Sequence, residues 1–264
     1  MLARGNVSTE AADSMTASWP YPLWIAHRGA GKLAPENTLA AFRLGASHGY
    51  RAFECDVKLS ADGVPFLLHD ATLRRTSNGK GVAGNQDWSA LARLDAGSWH
   101  SRSYAGEPLP SLEAIAAFCL GNGHALNIEI KPTPGTEAAT GRTVALEAAR
   151  LWSGAALPPL LSSFEPDALR AAQAAAPELP RALLLDSLRI GWFDEARALG
   201  CAGIVTNYAV MDAAVVAQVH AAGMRALVYT VNDPAEVARL GGIGIDGIIT
   251  DAVDRFSPVP QPLT

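Results

Sequence analysis

The chain has 264 residues, 49% of them hydrophobic and 18% charged, a balance that supports a large core and excludes an intrinsically disordered protein. Its net charge of −5 excludes a global basic field for nucleic acid or anionic membranes, so any phosphate binding must come from a local site. Three cysteines without zinc-motif spacing suit a reducing compartment. Finding neither a signal peptide nor an apolar run of transmembrane length, we expect a cytoplasmic protein with a disordered tail over residues 1–20.

Eight apolar runs with strand character alternate with alanine-rich stretches that have helical periodicity. The runs cover residues 23–28, 53–59, 126–131, 159–164, 181–186, 203–207, 225–231 and 247–250. Such alternation predicts a parallel sheet, and its simplest closed form is a single (β/α)8 TIM barrel domain over residues 21–264. A doubly wound open sheet is the alternative, but it would not place polar groups after nearly every strand. The active site of a barrel lies at the carboxyl ends of its strands.

The first three predicted strands carry most of the chemistry. The first ends in His27-Arg28-Gly29, the second contains Glu54 and Asp56, and the third contains Glu129 and Lys131. Residues i and i+2 of a strand point to the same side, so Glu54 and Asp56 face one way, and so do Glu129 and Lys131. Buried charges are costly unless they pair with each other or bind a metal. Three strand-end carboxylates beside His, Arg and Lys therefore predict a divalent-cation site that receives an anion.

A long segment follows the second predicted strand. About fifty residues separate that strand from the helix that starts at Ser111, where βα loops usually have about two to six. The segment begins with a short strand that ends in His69-Asp70 and continues through stretches rich in Gly and Ser. Long loops on this face usually shape a substrate site. We predict that residues 70–110 are a small insertion that forms a lid over the barrel.

An ordered set of motifs runs from about residue 23 to residue 254. Its members are His27-Arg28-Gly29, Ala34-Pro35-Glu36-Asn37-Thr38, Glu54-x-Asp56, Val64-Pro65 through His69-Asp70, Leu109-Pro110-Ser111-Leu112, Asn127-Ile128-Glu129-Ile130-Lys131, Ser163-Phe164, Thr230-Val231-Asn232 and Asp246-Gly247-Ile248-Ile249-Thr250-Asp251. Single motifs of this kind occur by chance, but the ordered set resembles the glycerophosphodiester phosphodiesterase family. One departure is Tyr229, where the family commonly has Trp.

The resemblance implies a metal-dependent enzyme that hydrolyses glycerophosphodiesters, the deacylated phospholipid head groups, to sn-glycerol 3-phosphate and an alcohol. It implies a divalent metal, Mg²⁺ or Ca²⁺, on Glu54, Asp56 and Glu129, and carboxylate oxygens do suit such hard cations. It also implies that His27 and His69 share the acid and base roles. Two points stay open: which histidine is the acid, and whether water or the glycerol 2-hydroxyl attacks the phosphate first.

Four further residues are predicted to bind the substrate. Arg28 offers a planar fork for the phosphodiester and Lys131 a point charge. Neighbouring residues in a regular strand point to opposite sides, so Arg28 reaches the site only if the chain turns after His27. Phe164 and Tyr229 are expected to be apolar walls. The predicted partner is a small molecule, without nucleic acid or membrane insertion, and a homo-oligomer is compatible with the sequence.

Alternative functions use the same residues differently. A lysophospholipase D or sphingomyelinase-D-like activity on lipids is the nearest alternative, but it would need an exposed apolar rim, which the sequence does not indicate. An aldolase with Lys131 as a Schiff-base amine is disfavoured, because neighbouring carboxylates raise the pKa of a lysine. A catalytically silent phosphoester-binding barrel would not need the histidines and carboxylates together. The remaining histidines, His48, His100, His124 and His220, lack partners in the pattern and are predicted to be surface residues.

Overall fold

A closed barrel of eight parallel strands forms the protein in the computed structural model, which describes residues 19–256 and 258. The strands are β1 Trp24–Ala26, β2 Ala52–Leu59, β3 Pro65–Leu67, β4 Ala125–Ile130, β5 Leu160–Ser163, β6 Arg181–Leu185, β7 Gly203–Asn207, β8 Arg225–Tyr229 and β9 Gly247–Thr250. Strand β1 pairs with both β9 and β2, which closes the barrel, while β3 is an antiparallel addition to β2. The predicted TIM barrel is confirmed, and the open-sheet alternative is wrong.

Helices cover the outside of the barrel. The α-helices of the described part are α1 Leu39–Ser47, α2 Trp88–Leu91, α3 Leu112–Asn122, α4 Glu137–Leu151, α5 Pro166–Ala175, α6 Trp192–Ala198, α7 Ala213–Ala221 and α8 Pro234–Gly242. Thr38, Ser111, Asp212 and Asp233 each accept a hydrogen bond from a backbone N–H in the first turn of α1, α3, α7 and α8. These caps satisfy amides that have no partner within the helix, which fixes where each helix begins.

The inside of the barrel is filled by apolar side chains below the strand ends. The buried cluster contains Ile25, Ala52, Ala125, Leu160, Ala182, Leu184, Val205, Leu227 and Ile249. Trp19 and Tyr21 pack against it from the amino end of the strands, where the Tyr21 hydroxyl donates to the carbonyl of Pro158 at 3.0 Å. Because this layer closes the interior from below, the polar residues at the carboxyl ends face an opening on one side only.

The segment between β3 and α3 has a small core of its own, built from Phe66, Leu68, Leu73, Leu91 and neighbouring apolar residues. None of residues 70–110 lines the cavity at the centre of the barrel mouth, whereas Asp70 and Ala71 line a neighbouring cleft. The segment therefore flanks the mouth, and its expected role as a lid stays a prediction. The division into a tail and one domain stays a prediction, and residues 1–18 of that tail lie outside the described residues.

Candidate active site

Eight of the nine predicted site residues line one cavity of about 320 Å³ at the carboxyl ends of the strands. They are His27, Arg28, Glu54, His69, Glu129, Lys131, Phe164 and Tyr229. The ninth, Asp56, is almost completely buried directly behind them, with 1% of its surface exposed. Residues separated by up to about two hundred positions thus converge on a single site.

The backbone after β1 turns sharply and brings Arg28 to the same site as His27. Arg28 has a left-handed conformation with φ 51°, which a residue with a side chain rarely adopts. Its amide donates to Glu54 Oε2 at 3.1 Å, and its guanidinium lies between Glu36 (2.7 Å) and Asp56 (3.2 Å). The turn that sequence reasoning required for Arg28 is therefore present, and its hydrogen bonds offset the strain of that conformation.

The three predicted metal ligands form one cluster. Asp56 on β2 is the register partner of Glu129 on β4, and one ligand oxygen each from Glu54, Asp56 and Glu129 lies within 4.8 Å of the others. Glu54 Oε1 and Asp56 Oδ1 are buried and accept no hydrogen bond from a described residue. Buried oxygens without partners are costly, and this all-carboxylate set suits a divalent cation such as Mg²⁺ or Ca²⁺.

The crowding of these carboxylates changes their acidity. Burial, with the charge of Asp56, raises the pKa of Glu54 to about 8. The same two effects raise the pKa of Glu129. Burial also opposes the charge on Asp56, but Arg28 and Lys131 outweigh it and lower the pKa of that carboxyl. In the absence of a bound cation, Asp56 is therefore the carboxylate that holds its charge most firmly.

Each histidine of the predicted pair is held by an aspartate. His27 Nδ1 lies 2.6 Å from Asp251 Oδ1, and its Nε2 lies 3.8 Å from Glu54. Burial opposes the charge on His27, but the bond to Asp251 and the charge of Glu54 outweigh it and raise its pKa. Gly31 makes this pairing feasible, since a Cβ there would lie 2.2 Å from the Asp251 carbonyl oxygen.

His69, two residues after the end of β3, has the same arrangement. Its Nδ1 lies 2.7 Å from Asp70 Oδ1, which leaves Nε2 as the ring nitrogen without a described partner. Burial, together with the positive charges of Arg28 and Lys131, lowers the pKa of His69. Two aspartate-supported imidazoles with oppositely shifted pKa values suit a site that needs one proton donor and one acceptor.

A network of ion pairs connects Arg28 with His69. Arg75 contacts both oxygens of Glu36 at 2.7 and 2.8 Å and both oxygens of Asp70 at 2.8 and 2.9 Å. Because Glu36 also holds Arg28 and Asp70 also holds His69, Arg75 fixes two site residues at once. The sequence predicted that Glu36 fixes the loop after the first strand, which agrees with its contacts to Arg28 and Arg75, but it assigned no role to Arg75.

Lys131 and two aromatic rings complete the predicted set. Lys131 Nζ donates to Glu129 at 2.6 Å, lies 3.4 Å from Asp56 Oδ1, and sits 5.6 Å from the centre of the Phe164 ring. Phe164 and Tyr229 meet edge to face with ring centres 5.7 Å apart. Burial opposes the charge on Lys131, but Asp56 and Glu129 outweigh it and raise its pKa. A permanently charged lysine suits anion binding and does not suit a Schiff base.

Two further polar residues belong to the site but were not predicted as catalytic, metal-binding or substrate-binding: Asn37, expected only to fix the loop after the first strand, and Asp186. Asn37 and Asp56 share two hydrogen bonds. Asn37 Nδ2 donates to Asp56 Oδ2 at 2.7 Å, and the Asp56 amide donates to Asn37 Oδ1 at 3.1 Å. Asp186 lines the cavity and directly follows β6, so the strand-end rule could have found it. One predicted surface histidine, His124, is instead buried, whereas His220 is exposed as predicted, with Nε2 2.6 Å from Asp246 at the amino end of the strands.

Comparisons with known proteins agree with this geometry. The model of the Glycerophosphoryl diester phosphodiesterase family matches residues 27–255. A glycerophosphodiester phosphodiesterase of Caldanaerobacter subterraneus is 31% identical over 87% of this chain and 93% of its own length. An Oleispira antarctica phosphodiesterase, solved in complex with the product sn-glycerol-3-phosphate, is 35% identical with a TM-score of 0.81, over 88% of this chain and 93% of that one. A glycerophosphodiester phosphodiesterase from Agrobacterium tumefaciens is 30% identical with a TM-score of 0.76, and the match covers 90% of this chain and 100% of that one.

The crowded carboxylates predict a pH-dependent stability of the metal-free protein. The pKa of Glu54 is raised from 4.5 to about 8 in the folded protein, so the folded state binds this proton more tightly than the unfolded chain does. The resulting stabilisation of the fold is complete below pH 4.5 and is lost as the pH rises to about 8. We expect the unfolding free energy of the Glu54→Gln protein, relative to that of the wild type, to rise by roughly 4 kcal/mol between pH 5 and pH 9.

Urea unfolding in EDTA at both pH values measures this difference. Glu178→Gln is the control, since Glu178 is exposed at the amino end of β6 and should show no such trend. Equal pH dependence in the Glu54→Gln protein and the wild type would contradict the raised pKa.

Proposed function

The chain belongs to the glycerophosphoryl diester phosphodiesterase family and is a phosphodiesterase of that class, and on this premise we propose how its residues perform the hydrolysis of a glycerophosphodiester. The products would be sn-glycerol 3-phosphate and an alcohol, and the substrates deacylated phospholipid head groups. One observation carries the proposal: two aspartate-held histidines, a three-carboxylate cluster and two cations share a single cavity.

The carboxylate cluster is proposed to hold the metal. Glu54, Asp56 and Glu129 would bind a Mg²⁺ or Ca²⁺ ion, which when bound neutralises phosphate oxygens and polarises the phosphorus. The two buried oxygens without hydrogen-bond partners support this assignment. Asn37 and Lys131 hold the side chains of Asp56 and Glu129 in place for that purpose, through contacts of 2.7 and 2.6 Å.

The histidines are proposed to move the protons. Asp251 and Asp70 fix the Nδ1 side of His27 and His69, so each ring presents Nε2 to the reacting groups. One ring removes the proton of the attacking hydroxyl or water, and the other protonates the oxygen of the departing alcohol. The aspartates hold the orientation of each ring and stabilise its charged form, which a histidine in a partly buried site otherwise loses.

Arg28 and Lys131 are proposed to bind the phosphate. Arg28 approaches from the β1 turn and Lys131 from the end of β4, so the two cations face the cavity from different strands. Negative charge increases on the phosphate oxygens during the reaction, and fixed positive charges stabilise that state. Phe164 and Tyr229 would form an apolar wall beside the glycerol group, with Tyr229 in the place where relatives commonly have Trp.

A lipid substrate is the second candidate function, because the structure shows an apolar tip that the sequence did not indicate. Ile190 is fully exposed and Leu188 is 36% exposed in the loop after β6. Asp186, four residues before Ile190, lines the catalytic cavity. An apolar tip beside the site would favour lysophospholipids over their deacylated forms.

Among the described residues, no helix is long and apolar enough to cross a membrane.

Metal removal tests the carboxylate cluster. We expect EDTA to abolish release of glycerol 3-phosphate from glycerophosphoethanolamine, and added Mg²⁺ or Ca²⁺ to restore it. Because Glu54 has a pKa of about 8, cation binding near neutral pH should also release a proton, which calorimetry in buffers of different ionisation enthalpy detects. Full activity in excess EDTA would refute the metal assignment.

Removal of either histidine tests the proton transfer. His27→Ala and His69→Ala should each lower kcat by roughly 100-fold or more, the usual contribution of a positioned acid or base. His220→Ala is a matched control, since it removes a third histidine–aspartate pair, with a contact of 2.6 Å, at the other end of the barrel. Similar losses in all three variants would mean that the effect is structural.

Arg75 is predicted to act as a positioning residue. Arg75→Lys keeps the positive charge but loses the two forks that hold Glu36 and Asp70. We expect kcat to fall about tenfold, by misplacement of His69 and Arg28, with an unchanged melting temperature. Arg170→Lys, which alters an exposed pair with Asp167, is the control. A wild-type kcat in the Arg75→Lys protein would contradict this role.

A further inference from the structure

A second cleft adjoins the catalytic cavity on the far side of Lys131. The two openings share His69, Glu129, Lys131 and Phe164 in their walls. From this common boundary the second cleft extends past Pro132 and Pro134 and has a volume of about 430 Å³, similar in size to the catalytic cavity. The function proposed above does not use this cleft.

Lys58 supplies a buried charge to the second cleft. It lies two residues after Asp56 on β2 and therefore points to the same side, and only 2% of its surface is exposed. Its ammonium donates to the backbone carbonyl of Lys131 at 2.9 Å and makes no ion pair with a described residue. An ammonium has three N–H donors, so donors remain for an oxygen of a bound molecule.

Glu165 supplies the opposite charge at the exposed edge of the same cleft. It lies directly before α5, where its amide donates to Ser163 Oγ at 3.1 Å. Its carboxylate has no ion-pair or hydrogen-bond partner among the described residues. The other two acids in this wall do have partners: Asp70 is held by Arg75 and His69, and Glu129 by Lys131. The cleft therefore has a cation at its floor and a free anion at its edge.

We propose that the second cleft binds the leaving alcohol of the diester and that Glu165 favours an alcohol with an ammonium group, such as ethanolamine. This inference rests on the proposed function. A phosphodiester carries two alcohol groups, one on each ester oxygen. A phosphate bound at Lys131 has the catalytic cavity on one side and the second cleft on the other, so each opening receives one of the two alcohol groups. Lys58 donates to oxygen near the phosphate and repels an ammonium, which directs that group outward to Glu165.

Substrate competition tests this assignment. The probes are glycerophosphoethanolamine and glycerophosphoglycerol, which differ in the charge of the alcohol. Since exposed ion pairs are weak, we expect Glu165→Gln to lower kcat/KM for the ethanolamine diester by about threefold and Glu165→Lys by about tenfold. Neither variant should change kcat/KM for the glycerol diester by more than about twofold. Glu178→Gln, at the opposite end of the barrel, should leave both values unchanged.

The outcomes separate this inference from the proposed function. Wild-type hydrolysis of both diesters, with the ratio of their kcat/KM values unchanged in Glu165→Gln and Glu165→Lys, would overturn the alcohol site and leave the phosphodiesterase assignment standing. An equal loss for both diesters would also overturn it, because Glu165 would then act on the common part of the substrate. A wild type that hydrolyses neither diester in Mg²⁺ or Ca²⁺ would overturn both proposals.

Discussion

The central constraint of this molecule is the burial of three carboxylates within 4.8 Å of one another. Like charges at that distance in a low-dielectric interior repel strongly, and burial together with the charge of Asp56 raises the pKa of Glu54. The surrounding chain compensates for it. Arg28 adopts a left-handed backbone to reach the cluster, Asn37 commits both ends of its amide to Asp56, and Lys131 binds Glu129. The shape of the β1–α1 turn is thus a consequence of the charges beneath it.

Features that follow from backbone geometry were predictable from the sequence. The strand period places Glu54 and Asp56 on one side, and parallel pairing brings Glu129 beside Asp56. The barrel itself followed from the alternation of apolar runs with capped helices. Cys55, between the two inward carboxylates, faces the outer core, as its position in the strand requires. These inferences succeeded because each depends on one periodic element and its immediate neighbour.

Contacts between distant loops were not predictable in the same way. Asp251 lies 224 positions from His27, and Arg75 lies 39 positions from Glu36, so no periodicity links the partners. The packing of the long insertion was not predictable for a related reason. Length identified residues 70–110 as unusual, but where the segment packs depends on its own core, which includes Leu73 and Leu91. Polar side chains at loop ends have many potential partners, and only the assembled barrel selects among them.

The pairing of His27 with Asp251 joins the first strand of the barrel to the last. Strand β1 forms its ladder with β9, and the His27 amide donates to the carbonyl of Thr250 at 3.0 Å. Such a contact has a large loop-closure entropy and forms late in most chains. A partly folded barrel that lacks β9 therefore has no oriented His27. Recovery of turnover during refolding would report the closure of the barrel, and a nascent chain would stay inactive until its last strand had left the ribosome.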